Sequence, residues 1–149
     1  MSMLKPAAFA RFLTAAVAMS PMPVLAQSGD AAPAPVLTLE LNALQPSEKG
    51  CRLTFVVNNG LGGELAQAAF EIALFNAEGV VDRLMVLDFK ELPVGKTKVS
   101  RFDLAGADCG KISRVLINHA TECTGGGIEP AACTRQLKTD TKTSVTFGL

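Results

Sequence analysis

The sequence predicts an all-β domain, a seven-stranded antiparallel immunoglobulin-like β-sandwich with two disulfides, and three observations carry that prediction. Seven short stretches read as strands, and in the first three apolar and polar residues alternate with a period of two, as in strands with one face on a core. Clusters of Gly, Pro and Asn separate the stretches, and only one short segment reads as helix. All four cysteines lie beyond an export signal, so they reach an environment in which they can pair. A small Greek-key barrel is the main rival architecture, and no internal repeat points to a solenoid.

Strand A begins near Val36, where Leu37, Leu39 and Leu41 alternate with Thr38, Glu40 and Asn42. A turn holding Pro46 and Gly50 leads to strand B, in which Cys51, Leu53, Phe55 and Val57 take the core face. The loop Asn58-Asn59-Gly60-Leu61-Gly62-Gly63 is rich in residues that tolerate positive φ. Strand C follows with Phe70, Ile72 and Leu74, and the turn Asn76-Ala77-Glu78-Gly79 joins it to strand D as a hairpin. Strand D, Val80 to Phe89, is apolar on both sides: Val81, Met85, Leu87 and Phe89 on one, Val80, Leu84 and Val86 on the other. It is therefore expected to be covered on both faces or to sit at an interface.

Strand E, Lys96 to Leu104, directs Val99 opposite to Phe102 and Leu104, and a bulge is expected to produce the switch. Strand F runs from Ile112 to His119, which puts His119 near its end, and strand G runs from Thr141 to Phe147. Between them Thr124 to Pro130 is a Gly-rich loop, and 131–137 reads as a short helix with Pro130 at its first position.

Met1 to Ala26 reads as an export signal: Lys5 and Arg11 precede an apolar run from Phe12, which closes on Val24-Leu25-Ala26. That run of 15 residues, broken by Pro21 and Pro23, is shorter than the about 20 apolar residues of a spanning helix. Cleavage after Ala26 and no stable membrane insertion afterwards are the expectations. The domain organisation is then 1–26 cleaved signal, 27–35 flexible linker (QSGDAAPAP) and 36–149 one β-sandwich domain. Cleavage removes two of the 14 basic residues and none of the 14 acidic ones, leaving 12 − 14 = −2. Without a basic footprint, Trp or Tyr, nucleic acid is excluded as a partner and carbohydrate binding is disfavoured.

Four cysteines allow three pairings, and alternating strand directions separate them. Strands B and F start at the same end, which places Cys51 beside Cys109, while Cys123 at the other end of F meets Cys133. No Cys-x-x-Cys or close Cys/His pair suggests redox or zinc chemistry, so no cofactor and no metal are expected. His119 is the single histidine, and no Gly-x-Ser-x-Gly elbow accompanies it, so no catalytic residues are assigned and no enzyme is expected. Gly95-Lys96-Thr97 resembles the end of a phosphate loop, but Lys90 stands where that loop needs its first Gly. Asp82, Asp88, Asp103 and Asp108 lack the close alternation of a calcium loop.

Taken together, the stretches Leu37 to Asn42, Gly50 to Asn59, Phe70 to Phe75 and Arg101 to Leu104 resemble a group of small exported alphaproteobacterial proteins. Some of these are labelled as Tat pathway signal-sequence domain proteins. The resemblance implies a periplasmic location and no particular activity. This chain departs from the label because no Arg-Arg pair precedes its apolar run.

The function expected is a non-enzymatic periplasmic or secreted module that contacts another envelope protein through Val80 to Phe89 or an open sheet edge. The alternative is a binder of small molecules or an envelope polymer through loops 58–63 and 124–130. Its candidate residues are Asn58, Asn59 and Gly60 with Gly125, Gly126 and Gly127, which can share an end because B and F finish together.

Overall fold

The computed structural model describes residues 32–149. The expected signal 1–26 and the part of the linker before Ala32 lie outside the described residues. Ala32 to Pro35 is exposed and irregular.

The first strand is β1 (Val36–Ser47), and its Leu37, Leu39 and Leu41 are fully buried, as their alternation requires. A tight turn returns the chain as β2 (Gly50–Gly60), antiparallel to β1. Gly50 has φ +149°, and a Cβ there would run into the carbonyl of Leu104. No other residue can occupy this close approach without moving backbone.

The chain then alternates between two sheets. β3 (Leu65–Phe75) and β4 (Val81–Leu92) form the predicted hairpin, and β5 (Thr97–Ala105) returns to β2. A 3₁₀ turn at Cys109–Lys111 precedes β6 (Arg114–Gly125), which lies beside β3. A helical turn, α1 (Ala132–Arg135), leads to β7 (Leu137–Thr141), and β8 (Thr146–Gly148) follows. The resulting orders are β5-β2-β1-β7 and β4-β3-β6-β8. One core joins the inner faces: Phe89 of β4 stacks edge-on against Phe102 of β5 at 5.0 Å and Phe55 of β2 at 5.5 Å.

Several expectations are corrected. There are eight strands, and the sheets are mixed, because β7 runs parallel to β1 and β8 parallel to β6. The predicted strand G is centred on a turn. Thr141, Thr143, Val145 and Phe147 do alternate, but the Thr143 hydroxyl lies 2.9 Å from that of Thr141 and accepts from Val145 N at 3.1 Å. These local bonds bend the backbone between β7 and β8, the usual competition of threonine hydroxyls with a sheet ladder.

Strand E has no bulge: its register with β2 is continuous from Gly50/Ala105 to Asn58/Thr97, and Val99 simply sits an odd number of residues from Phe102. The helix is shorter than 131–137, with Ala131 as its N-cap and Pro130 outside it. β6 continues to Gly125, so His119 is in the middle of the strand.

Both cysteine pairs form as the strand directions require, Cys51–Cys109 across 58 residues and Cys123–Cys133 across 10. Loop-closure entropy assigns about 4 kcal/mol to the first and about 2.7 kcal/mol to the second. None of the cysteines is free, which points to an oxidising compartment. Among the described residues no helix is long and apolar enough to cross a membrane.

Candidate functional site

Strand β4 is an edge of its sheet, and the register with β3 determines which of its side chains look outward. Leu74 pairs with Arg83 but Phe75 pairs with Val81, so Asp82 is an extra residue in the ladder. This bulge moves Val81 from the side it would share with Met85 to the side of Leu84 and Val86. The two-sided apolar pattern of the sequence is resolved here. Leu87 and Phe89 face the core at 3% and 2% exposure, whereas Val81, Leu84 and Val86 are 49%, 57% and 53% exposed. Val80, just before the strand, is 60% exposed.

Cross-strand rows continue this patch over the outer face. Leu84, Ala73 and Leu116 form one row over β4, β3 and β6, and Val81, Phe75 and Arg114 form the next. Arg114 places its guanidinium carbon 5.4 Å from the centre of the Phe75 ring. The third row, Val86, Glu71 and His119, turns polar. Glu71 Oε1 accepts from Asn118 Nδ2 at 2.6 Å and lies 3.7 Å from His119 Nδ1. His119 is thus a solvent-facing border residue of the apolar patch.

Strand β4 is tied to β5 by side chains at two points. Lys98 Nζ donates to the carbonyls of Phe89 and Glu91 at 3.0 and 2.8 Å, and Arg83 Nη1 donates to that of Ala105 at 2.9 Å. Cations on an edge in this way oppose indiscriminate strand pairing. Lys90, with φ +61°, marks a second bulge, where Asp88 accepts from its backbone N and its Nζ. The Lys90 ammonium, followed by its amide, holds the Asp88 carboxyl below its ordinary range.

The glycine-rich loops do meet. A Cβ on Gly63 would press on the Gly126 carbonyl and on Ile128 at 2.8 Å each. Gly125 packs so tightly on Glu64 that a Cβ there would overlap its carbonyl, and Gly60 likewise abuts Val36 O. Gly126 and Gly127 face open space. Asn58 Nδ2 donates to Thr97 Oγ1 at 3.3 Å on the sheet surface.

Asn59 is 1% exposed, and its amide serves the protein itself. Nδ2 donates to Gly63 O at 2.9 Å and Leu92 O at 2.8 Å, and Oδ1 accepts from Leu61 N at 3.1 Å. The cavity beside these loops, between Leu61, Ile128 and Arg135, holds about 210 Å³, below the about 300–1,000 Å³ usual for ligand pockets. A larger cleft of about 510 Å³ opens at the opposite end, between the β3–β4 turn and the segment 106–112. No local pattern marks it, since its walls are far apart in the chain and neither has a motif.

The four aspartates are separately engaged. Asp82 meets Arg83, Asp88 meets Lys90, Asp103 meets Arg52, and Asp108 accepts from Gly110 N. Hydrogen bonds from the Arg52 guanidinium are the main cause that lowers the Asp103 carboxyl. No cluster of three or more metal-ligating side chains occurs among the described residues. No family model, no curated protein and no solved structure matches this chain.

Proposed function

We propose that the chain is a non-enzymatic periplasmic module that docks on another envelope protein through the outer face of β4. The observation that carries this reading is the concentration of Val81, Leu84 and Val86 on one edge strand with Val80 just before it, all at least 49% exposed. A contiguous apolar patch with a polar border is the surface of a contact site. The row Leu84–Ala73–Leu116 extends it inward, and the Glu71–His119–Asn118 group borders it. The partner chemistry that fits is an apolar strand or helix face laid across these rows.

An immunoglobulin-like reading of the two sheets accompanies this proposal. It is supported by the sheet exchange, with β1, β2 and β5 on one side and β3, β4 and β6 on the other. The Cys51–Cys109 bridge, which ties the start of β2 to the segment before β6, also favours it. The small cavity beside the glycine loops disfavours the alternative reading, a ligand held by residues 58–63 and 124–130.

The test is site-specific photocrosslinking in the native envelope. A photoreactive residue at Leu84 is expected to give one discrete protein adduct, and at Lys138 on β7 none. Val86→Lys is expected to abolish the Leu84 adduct while the purified protein melts within about 0.5 kcal/mol of the parent, as exposed substitutions do. Equal labelling from both positions refutes the docking face. Loss of a cellular phenotype in a folded His119→Ala variant that keeps the adduct refutes the non-enzymatic reading.

A further inference from the structure

The cleft at the Cys51–Cys109 end adjoins the docking face, sharing Phe75 of β3 and Asp82 and Arg83 of β4 with it, and is otherwise lined by different residues. Its floor is apolar: Leu74 is 1% and Ala107 8% exposed, with Ile112 half-buried beside them. Its walls belong to two different segments. One is the turn Asn76-Ala77-Glu78, fixed because Asn76 Oδ1 accepts from the backbone N of Glu78 at 3.1 Å and of Val80 at 2.9 Å. The other is the segment Gly106 to Lys111, fixed by the disulfide at Cys109 and by Asp108 capping Gly110 at 2.9 Å. Both walls are therefore pre-formed, which reduces the ordering cost of binding.

The charges of the cleft divide by whether they already have partners. Arg83 is held by Asp82 at 2.8 Å and by the Ala105 carbonyl at 2.9 Å. One oxygen of Asp108 serves the cap. The side chains of Glu78 and Lys111 make no hydrogen bond or ion pair with any described residue, and they line the cleft from its two different segments. An anion on one wall, a cation on the other and an aliphatic floor between them are complementary to one kind of molecule.

We infer that this cleft binds a small zwitterion with an aliphatic body, a free amino acid or a short peptide. The ligand ammonium lies toward Glu78, its carboxylate toward Lys111, and its side chain on Leu74, Ala107 and Ile112. A volume of about 510 Å³ lies within the about 300–1,000 Å³ range of small-ligand sites and accommodates either source.

Amide NMR titration of the intact protein tests this, with L-leucine and L-leucyl-L-leucine as probes beside the N-acetylated dipeptide, the dipeptide amide and the doubly blocked form. Saturable shifts at residues 76–78 and 106–112 are expected, with Kd of about millimolar for a ligand of this size. Tighter binding of leucine identifies a free amino acid as the source, and tighter binding of the dipeptide identifies a peptide. Blocking either terminus is expected to weaken binding by about fivefold, the upper range of an exposed charge pair. Lys111→Gln is expected to remove the preference for free carboxylate over amide, and Glu78→Gln the preference for free amine over acetyl. Both residues are exposed, so these variants keep the fold. Shifts that do not saturate, shifts that map elsewhere, equal binding of the doubly blocked dipeptide, or variants that keep both preferences overturn the inference.

Discussion

The two ends of this domain are built from similar materials and differ in what their polar groups do. At the end where the glycine loops meet, backbone segments approach so closely that Gly60 and Gly125 have no room for a Cβ, and the Asn59 amide is fully engaged by Leu61, Gly63 and Leu92. At the end closed by Cys51–Cys109, the walls stand apart and leave about 510 Å³, with Glu78 and Lys111 unengaged by any described residue. Polar richness in a loop thus says little about binding; what matters is whether its donors and acceptors already have partners.

The largest test of this contrast is the long disulfide. Replacing Cys51 by Ala, with Cys109 also replaced to avoid a stray thiol, is expected to cost about 4 kcal/mol through loop-closure entropy. Urea unfolding measures it, and a loss below about 1 kcal/mol means that the unfolded chain is already constrained at this end. Next is Asn59→Ala, expected to cost about 3 kcal/mol because two carbonyls and one N–H become unpartnered in a buried setting. Near-neutral behaviour in the same assay breaks the comparison, since it would mean that the loop end, like the cleft end, does not depend on its amide.

The smallest effect concerns pH. Asp88 and Asp103, held by Lys90 and Arg52, both have pKa values lowered from the ordinary range. A lowered folded-state value contributes stability that is fully present above the unfolded pKa of about 3.9 and lost as pH falls through the folded value. Stability is therefore expected to be flat near neutrality on this account and to decline below about pH 4. Lys90→Ala is expected to raise the Asp88 titration midpoint and leave that of Asp103 unchanged, which carboxylate NMR resolves.

Much of the fold was legible in the sequence because burial on one face imposes a period of two. Leu37, Leu39, Leu41, Leu53, Phe55 and Phe70 all lie where that alternation places them. The pairing of cysteines followed from strand direction alone. The C-terminal segment misled for a local reason: its threonines keep the strand period while their hydroxyls form a turn. The orientation of Val81 depends on a bulge at Asp82, a long-range property of the ladder that no local pattern encodes. Asn59 is a candidate binding residue by sequence, yet its amide bonds Leu61, Gly63 and Leu92, a role that depends on Leu92 arriving beside it from 33 residues downstream. The 510 Å³ cleft is a product of tertiary approach and left no local trace.

The parallel pairing of β1 with β7 has a kinetic consequence. Leu37 lies beside Leu137 and Leu41 beside Thr141, so β1 acquires its second neighbour only from chain about 100 residues downstream. Contacts of that separation place the domain among slow folders, on a millisecond-to-second scale. Until β7 arrives, the outer edge of β1 stands open as a template for other strands, and aggregation competes with folding during that interval.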